Sequence, residues 1–437
     1  MFRLALLALF PLAATAPAAG TLYEVAYPAP AAPKPGELPY AVTYRLWLPD
    51  GVKHVRGVIV HQHGCGAGAC KGGATAARDL HWQALAKKWD CALLGPEYHQ
   101  PDKADCRQWC DPRNGSEPAF LKCLTDFAAK TKHPEIETAP WCLWGHSGGG
   151  FWASLMQVKH PARIVAIWFR SGTAFATWEK GDIAKPEIPE AAYGVPIVLN
   201  PGAKEKDHKQ FAGAWTGAVA MFQAYRAKGA PACFAPDPRT GHECGDSRYL
   251  AIPFFDACLA ARLSKDGGDG RLRPIDQKAG FLAKFQGDAA VPAARFDGKP
   301  EEANWLPTEA VAKAWAEYVK TGATEDTTPP PAAFDPKATV RADGGVELTW
   351  DAAADFESGV RGFVIERDGK ELAVLPAKPV GKFGRPLFQT MSYHDTPEAP
   401  VPDMKVTDKD GKAGAAYRVT VVNGVGLNSD PVQVVAR

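Results

Sequence analysis

The chain has 437 residues, 46% of them hydrophobic and 23% charged, with a formal net charge of +1. That length exceeds one ordinary core and predicts two domains, or one large domain with an appendage. The near-neutral charge gives no ground for a nucleic-acid partner or an acidic one.

Met1-Phe-Arg3 is a short basic start, Leu4 to Leu12 is apolar, and Ala13 to Ala19 supplies small residues for cleavage. Residues 1–19 therefore read as a secretory signal peptide, too short to span a bilayer, and predict a secreted or periplasmic protein. All ten cysteines lie between Cys65 and Cys258. An even count in an exported chain reads as disulfides, and at least three bridges are expected. Cys142, inside an apolar run, equally suits a small buried thiol.

Residues 20–39, rich in Pro and Ala, read as a loose lead-in. Tyr40 to Leu48 alternates like a strand with one covered face, and Gly57 to Gln62 is a more buried strand running into His63-Gly-Cys-Gly66. A helical face follows at Ala77, Leu80, Ala84 and Leu85, then a strand from Cys91 to Leu94. Ser116 is placed to cap a helix whose apolar stripe runs from Phe120 to Ala128. Short apolar strands are predicted at Ile164 to Trp168, Val195 to Leu199 and Ala232 to Ala235. Between the last two, Phe211, Trp215, Ala218, Phe222 and Tyr225 mark a helix, and another spans residues 249–263. Strands alternating with amphipathic helices predict an α/β fold: a mainly parallel, doubly wound sheet covered on both faces.

Residues 264–326 form an extension, with a helix from Pro307 to Tyr318, expected to pack on the α/β domain of residues 20–263. A proline-rich linker, residues 327–331, leads to residues 332–437, where only strand periods occur. That region predicts a small all-β sandwich, with Trp350 in its core and Tyr417 as a tyrosine corner.

Between the strand Trp141 to Trp144 and the helix-forming Phe151 to Val158 lies Gly145-His-Ser-Gly-Gly-Gly150. Strand, glycine-flanked serine and helix form the nucleophile-elbow pattern G-x-S-x-G. Side chains at Gly145 and Gly149 would collide with the adjoining strand and helix. The turn also presents the Gly148 N–H at a helix start, where developing negative charge is favoured.

An acyl-transfer site further needs a base, an acid that orients it, and a second oxyanion donor. Cys65, after a buried strand, offers the second N–H. His242, in the Gly-flanked loop Gly241-His-Glu-Cys244, is the candidate base; His146 is held by the elbow. Glu205 and Asp207, in the loop after a late strand, both qualify as the acid, with Glu205 preferred. Tyr98, Trp109 and Arg170 are candidates to line a substrate cleft. His61 and His63 stand two apart on a strand, but no third ligand is apparent, so neither a metal nor a cofactor is expected.

With its elbow, His63-Gly-Cys-Gly66, Trp82-Gln-Ala-Leu-Ala86 and Cys106-x-x-Trp109, the chain resembles the α/β-hydrolase superfamily over residues 40–263. Within it, the chain is similar to secreted esterases of the polyhydroxybutyrate depolymerase and feruloyl-esterase type. The resemblance implies Ser147 as nucleophile, Glu205 as acid and His242 as base. It also implies a carboxylic-ester substrate, plant-polymer acyl groups or polyesters among them. Two departures stand out: that subgroup usually has Ala where Gly148 follows the serine, and the acid loop is lysine-rich. Residues 332–437 resemble a fibronectin type III domain, which implies spacing or adhesion. A serine peptidase on the same fold, or a binding protein with a hydrolase-like core, are the alternatives.

Overall fold

The computed structural model describes residues 20–66, 76–264, 270–377 and 404–437. The expected signal peptide and Cys70 lie outside them.

An eight-stranded sheet has the order β1-β2-β4-β3-β5-β6-β7-β8. Its strands are β1 (Gly20–Tyr27), β2 (Val42–Pro49), β3 (Gly57–Gln62), β4 (Cys91–Tyr98), β5 (Trp141–His146), β6 (Ile164–Arg170), β7 (Ile197–Asn200) and β8 (Ala232–Phe234). From β4 to β8 all neighbours run parallel, while β1 and β2 are antiparallel. The lead-in reading of residues 20–39 fails at its start. Gly20–Tyr27 pairs along its whole length with β2, as an edge strand whose residues are only partly covered.

Alternate residues of the central strands face opposite sides, and each side has its own core. Val58, Val60, Leu143, Ile167 and Leu199 pack with Phe120, Phe127, Trp152 and Phe222 on one face. Ile59, Trp144, Trp168 and Val198 pack with Trp82, Phe254, Phe255 and Trp315 on the other. Both faces being covered explains why these strands read as unbroken apolar runs.

The register aligns the strand ends: Gln62 lies opposite Gly145, His146 opposite Arg170, and Arg170 opposite Asn200. The segments that follow β3, β5, β7 and β8 therefore emerge along one edge of the sheet, where ligands of such sheets bind.

Residues 270–321 add a small sheet, β9 (Phe281–Ala283), β10 (Ala290–Pro292) and β11 (Asn304–Leu306), and a helix, Glu309–Thr321. Asn304 Oδ1 accepts the Phe234 N–H at 2.7 Å, and Trp315 Nε1 donates to the Phe234 carbonyl at 3.2 Å. The segment thus closes the β8 edge, which would otherwise expose unpaired backbone groups.

The C-terminal strands form two antiparallel sheets. One has β12 (Phe334–Val340), β13 (Val346–Asp351) and β16 (Lys405–Asp408); the other has β14 (Val360–Arg367), β15 (Lys370–Leu375), β17 (Ala416–Asn423) and β18 (Val432–Val435). Their orders are β12-β13-β16 and β15-β14-β17-β18. Trp350 is buried against Phe363 between them. Tyr417 is buried too, but its hydroxyl donates to the Asp408 carboxylate at 2.7 Å, not to backbone as a tyrosine corner requires. This unit leans on the helix Leu80–Lys88: Leu80 joins its core, and His81 Nε2 meets the Phe356 carbonyl at 2.8 Å.

One disulfide, Cys65–Cys106, occurs among the described residues. Cys91, Cys110, Cys123, Cys142, Cys233 and Cys258 are buried and unbridged among the described residues, where three or more bridges were expected for the chain. The reason is placement: Cys91, Cys142 and Cys233 are interior strand residues facing apolar neighbours and serve as small hydrophobes.

Candidate active site

Ser147 sits between β5 and the helix Gly148–Lys159, with φ 52° and ψ −115°. This is a sparsely populated conformation for a residue with a side chain, held by neighbours that over-determine it. The Ser147 N–H donates to the Arg170 carbonyl at 2.8 Å, and the Ser147 carbonyl accepts from Phe151 N at 3.0 Å. A Cβ at Gly145 would strike the Gly149 carbonyl, and one at Gly149 the Gln62 carbonyl. The elbow's glycines are there for close approach.

Glu205 and His242 arrive from the loops after β7 and β8. His242 Nε2 lies 2.9 Å from Ser147 Oγ, and His242 Nδ1 lies 2.5 Å from Glu205 Oε1. The other Glu205 oxygen accepts the Gly202 N–H at 2.9 Å. Glu205 is fully buried, whereas Asp207, the other candidate acid, is exposed. The structure brings the serine, histidine and glutamate into one line, in the chain order Ser, Glu, His.

Three neighbours hold His242 and the loop that carries it. Phe211 lies flat on the imidazole, centroids 3.8 Å apart and planes 2° from parallel. Its spacing predicts a place in the following helix, which begins one residue later, at Ala212. His146 Nε2 meets the His242 carbonyl at 2.5 Å. Burial first, then the nearby His242, drives the His146 pKa well below the ordinary histidine range, so its ring is neutral.

Arg170 is the third. Expected in the cleft, it is fully buried. Its guanidinium donates to the carbonyls of Gly241 at 2.9 Å and Glu243 at 2.6 Å, to Thr240 Oγ1 at 2.8 Å, and to the Asn200 carbonyl at 3.1 Å. The side chain leaves β6 beneath the loop that carries His242 and satisfies that loop's inward-facing carbonyls. Tyr98 and Trp109 are also displaced from their expected place. They stack on each other at 4.7 Å, both buried, and Trp109 Nε1 donates to Gln100 Oε1. Neither lines the cleft.

The cleft beside Ser147 has a volume of about 370 Å³ and is lined by Gly148, Phe151, Thr173, Thr177, Arg107 and Lys180, among others. The Cys65–Cys106 disulfide forms part of its wall. A Cβ at Gly148 would come within 2.5 Å of Cys65 Sγ and 2.8 Å of Cys106 Sγ. This accounts for glycine after the serine, since the disulfide occupies the space an alanine methyl would need. Cys106, whose partner could not be read from spacing, thereby ties the Cys65 loop to the elbow. The Gly148 N–H opens a twelve-residue helix and so lacks an intrahelical acceptor.

The strand order, the parallel run to β8 and the strained serine after β5 together define the architecture. The chain has an α/β-hydrolase fold. No family model and no curated protein matches its sequence. Among solved structures, it is similar to a ferulic acid esterase at 14% identity and a TM-score of 0.39, over 55% of this chain and 99% of that one. It is likewise similar to poly(aspartic acid) hydrolase-1 from Sphingomonas sp. KT-1, at 18% identity and 0.34, over 52% and 93%. A dienelactone hydrolase from Anabaena variabilis matches at 14% and 0.33, over 51% and 88%. No helix among the described residues is long and apolar enough to cross a membrane.

Proposed function

We propose that this protein is a serine hydrolase of carboxylic esters, with Ser147 as nucleophile, His242 as base and Glu205 as the acid that orients it. The observation that carries this reading is the continuous line Ser147 Oγ, His242 Nε2, His242 Nδ1, Glu205 Oε1, at 2.9 and 2.5 Å. Glu205 takes the Nδ1 hydrogen bond and leaves a lone pair on Nε2. That nitrogen accepts the Ser147 proton as Oγ attacks the ester carbonyl. The oxyanion is received by the N–H groups of Gly148 and Cys65, and the protonated His242 returns its proton to the leaving alkoxide. Water, activated by the same imidazole, then releases the acid and restores the serine. The open cleft, lined by Arg107, Lys180 and Asp182 among others, suits an extended polar acyl group such as a plant-polymer or polyester unit.

The signal-like residues 1–19 support export to the periplasm or beyond. The three-plus-four arrangement of the described strands within residues 332–437 supports a fibronectin type III-like spacer or adhesion module.

The test is labelling with a fluorophosphonate together with hydrolysis of a short-chain aryl ester. Wild type should label at Ser147 and turn over the ester, and Ser147→Ala should do neither. Undiminished labelling of Ser147→Ala would remove the assignment. A panel of acetyl, feruloyl, hydroxyalkanoate and peptide substrates then ranks the substrate classes.

A further inference from the structure

Next to the triad lies a buried group that the reaction does not use: His63, His146 and Cys244, each no more than 1% exposed. Each comes from a different part of the sheet edge. His63 follows β3 directly, His146 ends β5 beside Ser147, and Cys244 stands two residues beyond His242. One donor atom from each lies within 4.8 Å of the others.

We propose that His63, His146 and Cys244 bind a zinc ion, which clamps together the three segments that carry the oxyanion donor, the nucleophile and the base. Zinc bonds of about 2.0–2.1 Å to imidazole and 2.3 Å to thiolate place those donors about 3.6 Å apart at a tetrahedral ion. His63 Nδ1 and Cys244 Sγ are 3.7 Å apart. His146 is set up for the same task. Its Nε2 faces the His242 carbonyl at 2.5 Å and therefore carries the hydrogen, which leaves the ring's lone pair on Nδ1. A zinc-bound histidine characteristically donates its other N–H to such a carbonyl. His63 Nε2 is buried with no hydrogen-bond partner among the described residues. With Nδ1 on the metal, that Nε2 carries the ring's hydrogen.

Two imidazoles and a thiolate favour zinc over calcium or magnesium, which prefer oxygen. On binding, the Cys244 thiol releases its proton to solvent, while both histidines bind neutral. The described residues supply three ligands, which leaves one tetrahedral position for a further donor. With all three buried, the ion lies out of a substrate's reach and acts on geometry alone. The sequence pairs His61 with His63, but His61 is stacked on Trp144 at 4.7 Å and does not join the group. The ligands that do join are far apart along the chain, so spacing does not reveal them.

The experiment uses full-length protein purified without chelator from zinc-supplemented medium, followed by metal analysis and exchange with Co²⁺. The proposal expects about one zinc per chain and, in the cobalt form, intense tetrahedral absorption with a thiolate-to-metal charge-transfer band. Cys244→Ser should lose that band and most of the zinc, while Cys258→Ala, a buried thiol elsewhere, should keep both. Wild type that takes up neither metal, or Cys244 recovered in a disulfide from the unreduced protein, overturns it. If Cys244→Ser does not fold, the wild-type cobalt spectrum decides: a weak octahedral spectrum without the thiolate band rejects the site.

Discussion

The ring of Phe211 lies parallel to that of His242 at 3.8 Å, covering one face of the imidazole that meets Ser147. Stacking of this kind restrains the imidazole without touching its nitrogens. Phe211→Ala should therefore lower kcat by about tenfold through loss of alignment, while Phe211→Tyr, which keeps the ring, retains most of it. Steady-state kinetics on a small aryl ester measures both. Equal loss in the two variants would point to a fault other than lost stacking.

Glu205 and Asp207 differ in burial and in partner. Glu205→Gln leaves His242 Nδ1 without its carboxylate, and turnover should drop by about 10³–10⁴-fold, as for other triad acids. Asp207→Asn, at an exposed position, should change turnover by less than about twofold. The opposite ranking would hand the role to Asp207.

Gly148 touches the disulfide. In the wild-type background, Gly148→Ala should be destabilising, because its methyl would sit 2.5 Å from Cys65 Sγ. In a background with both Cys65→Ala and Cys106→Ala, the same change should be nearly neutral. A double-mutant cycle in urea should then give a coupling of about 1–3 kcal/mol. Additive effects would mean that the sulfurs do not set the constraint.

His81 predicts an acid sensitivity. Burial first, and then the positive charge of Arg248, pull its pKa down from the ordinary 6.5 to about 4. The folded state disfavours the proton, so the unfolded chain binds more of it between those values. The stability involved is complete above about pH 6.5 and is lost as pH falls toward 4, by about 2 kcal/mol at pH 5. His81→Gln, which can still donate to the Phe356 carbonyl, should have a flatter profile of urea midpoint between pH 7.5 and 5. A slope unchanged from wild type would assign the sensitivity to other groups.

Legibility in the sequence followed the range of the forces involved. Apolar runs at residues 57–60 and 141–144 marked buried parallel strands, because a strand covered on both faces is apolar on both. The elbow was legible because a strained serine leaves glycines beside it, and Glu205 and His242 because loops after parallel strands share one edge. The choice between Glu205 and Asp207 was decided by tertiary structure: two residues apart, one carboxylate is turned inward beneath His242 and the other to solvent.

Arg170, Tyr98 and Trp109 were misplaced because residue type alone does not tell whether a polar or aromatic side chain at a strand end points outward or supports a loop from below. Arg170 proved to hold four backbone carbonyl and hydroxyl acceptors around the His242 loop, a role visible only once β6, β7 and that loop are adjacent. The Cys65–Cys106 disulfide, the ring on His242 and the meeting of His63 with Cys244 likewise join residues distant in the chain. Local periodicity determined which segments became strands and helices; long-range packing, which no local pattern encodes, decided which side chains meet.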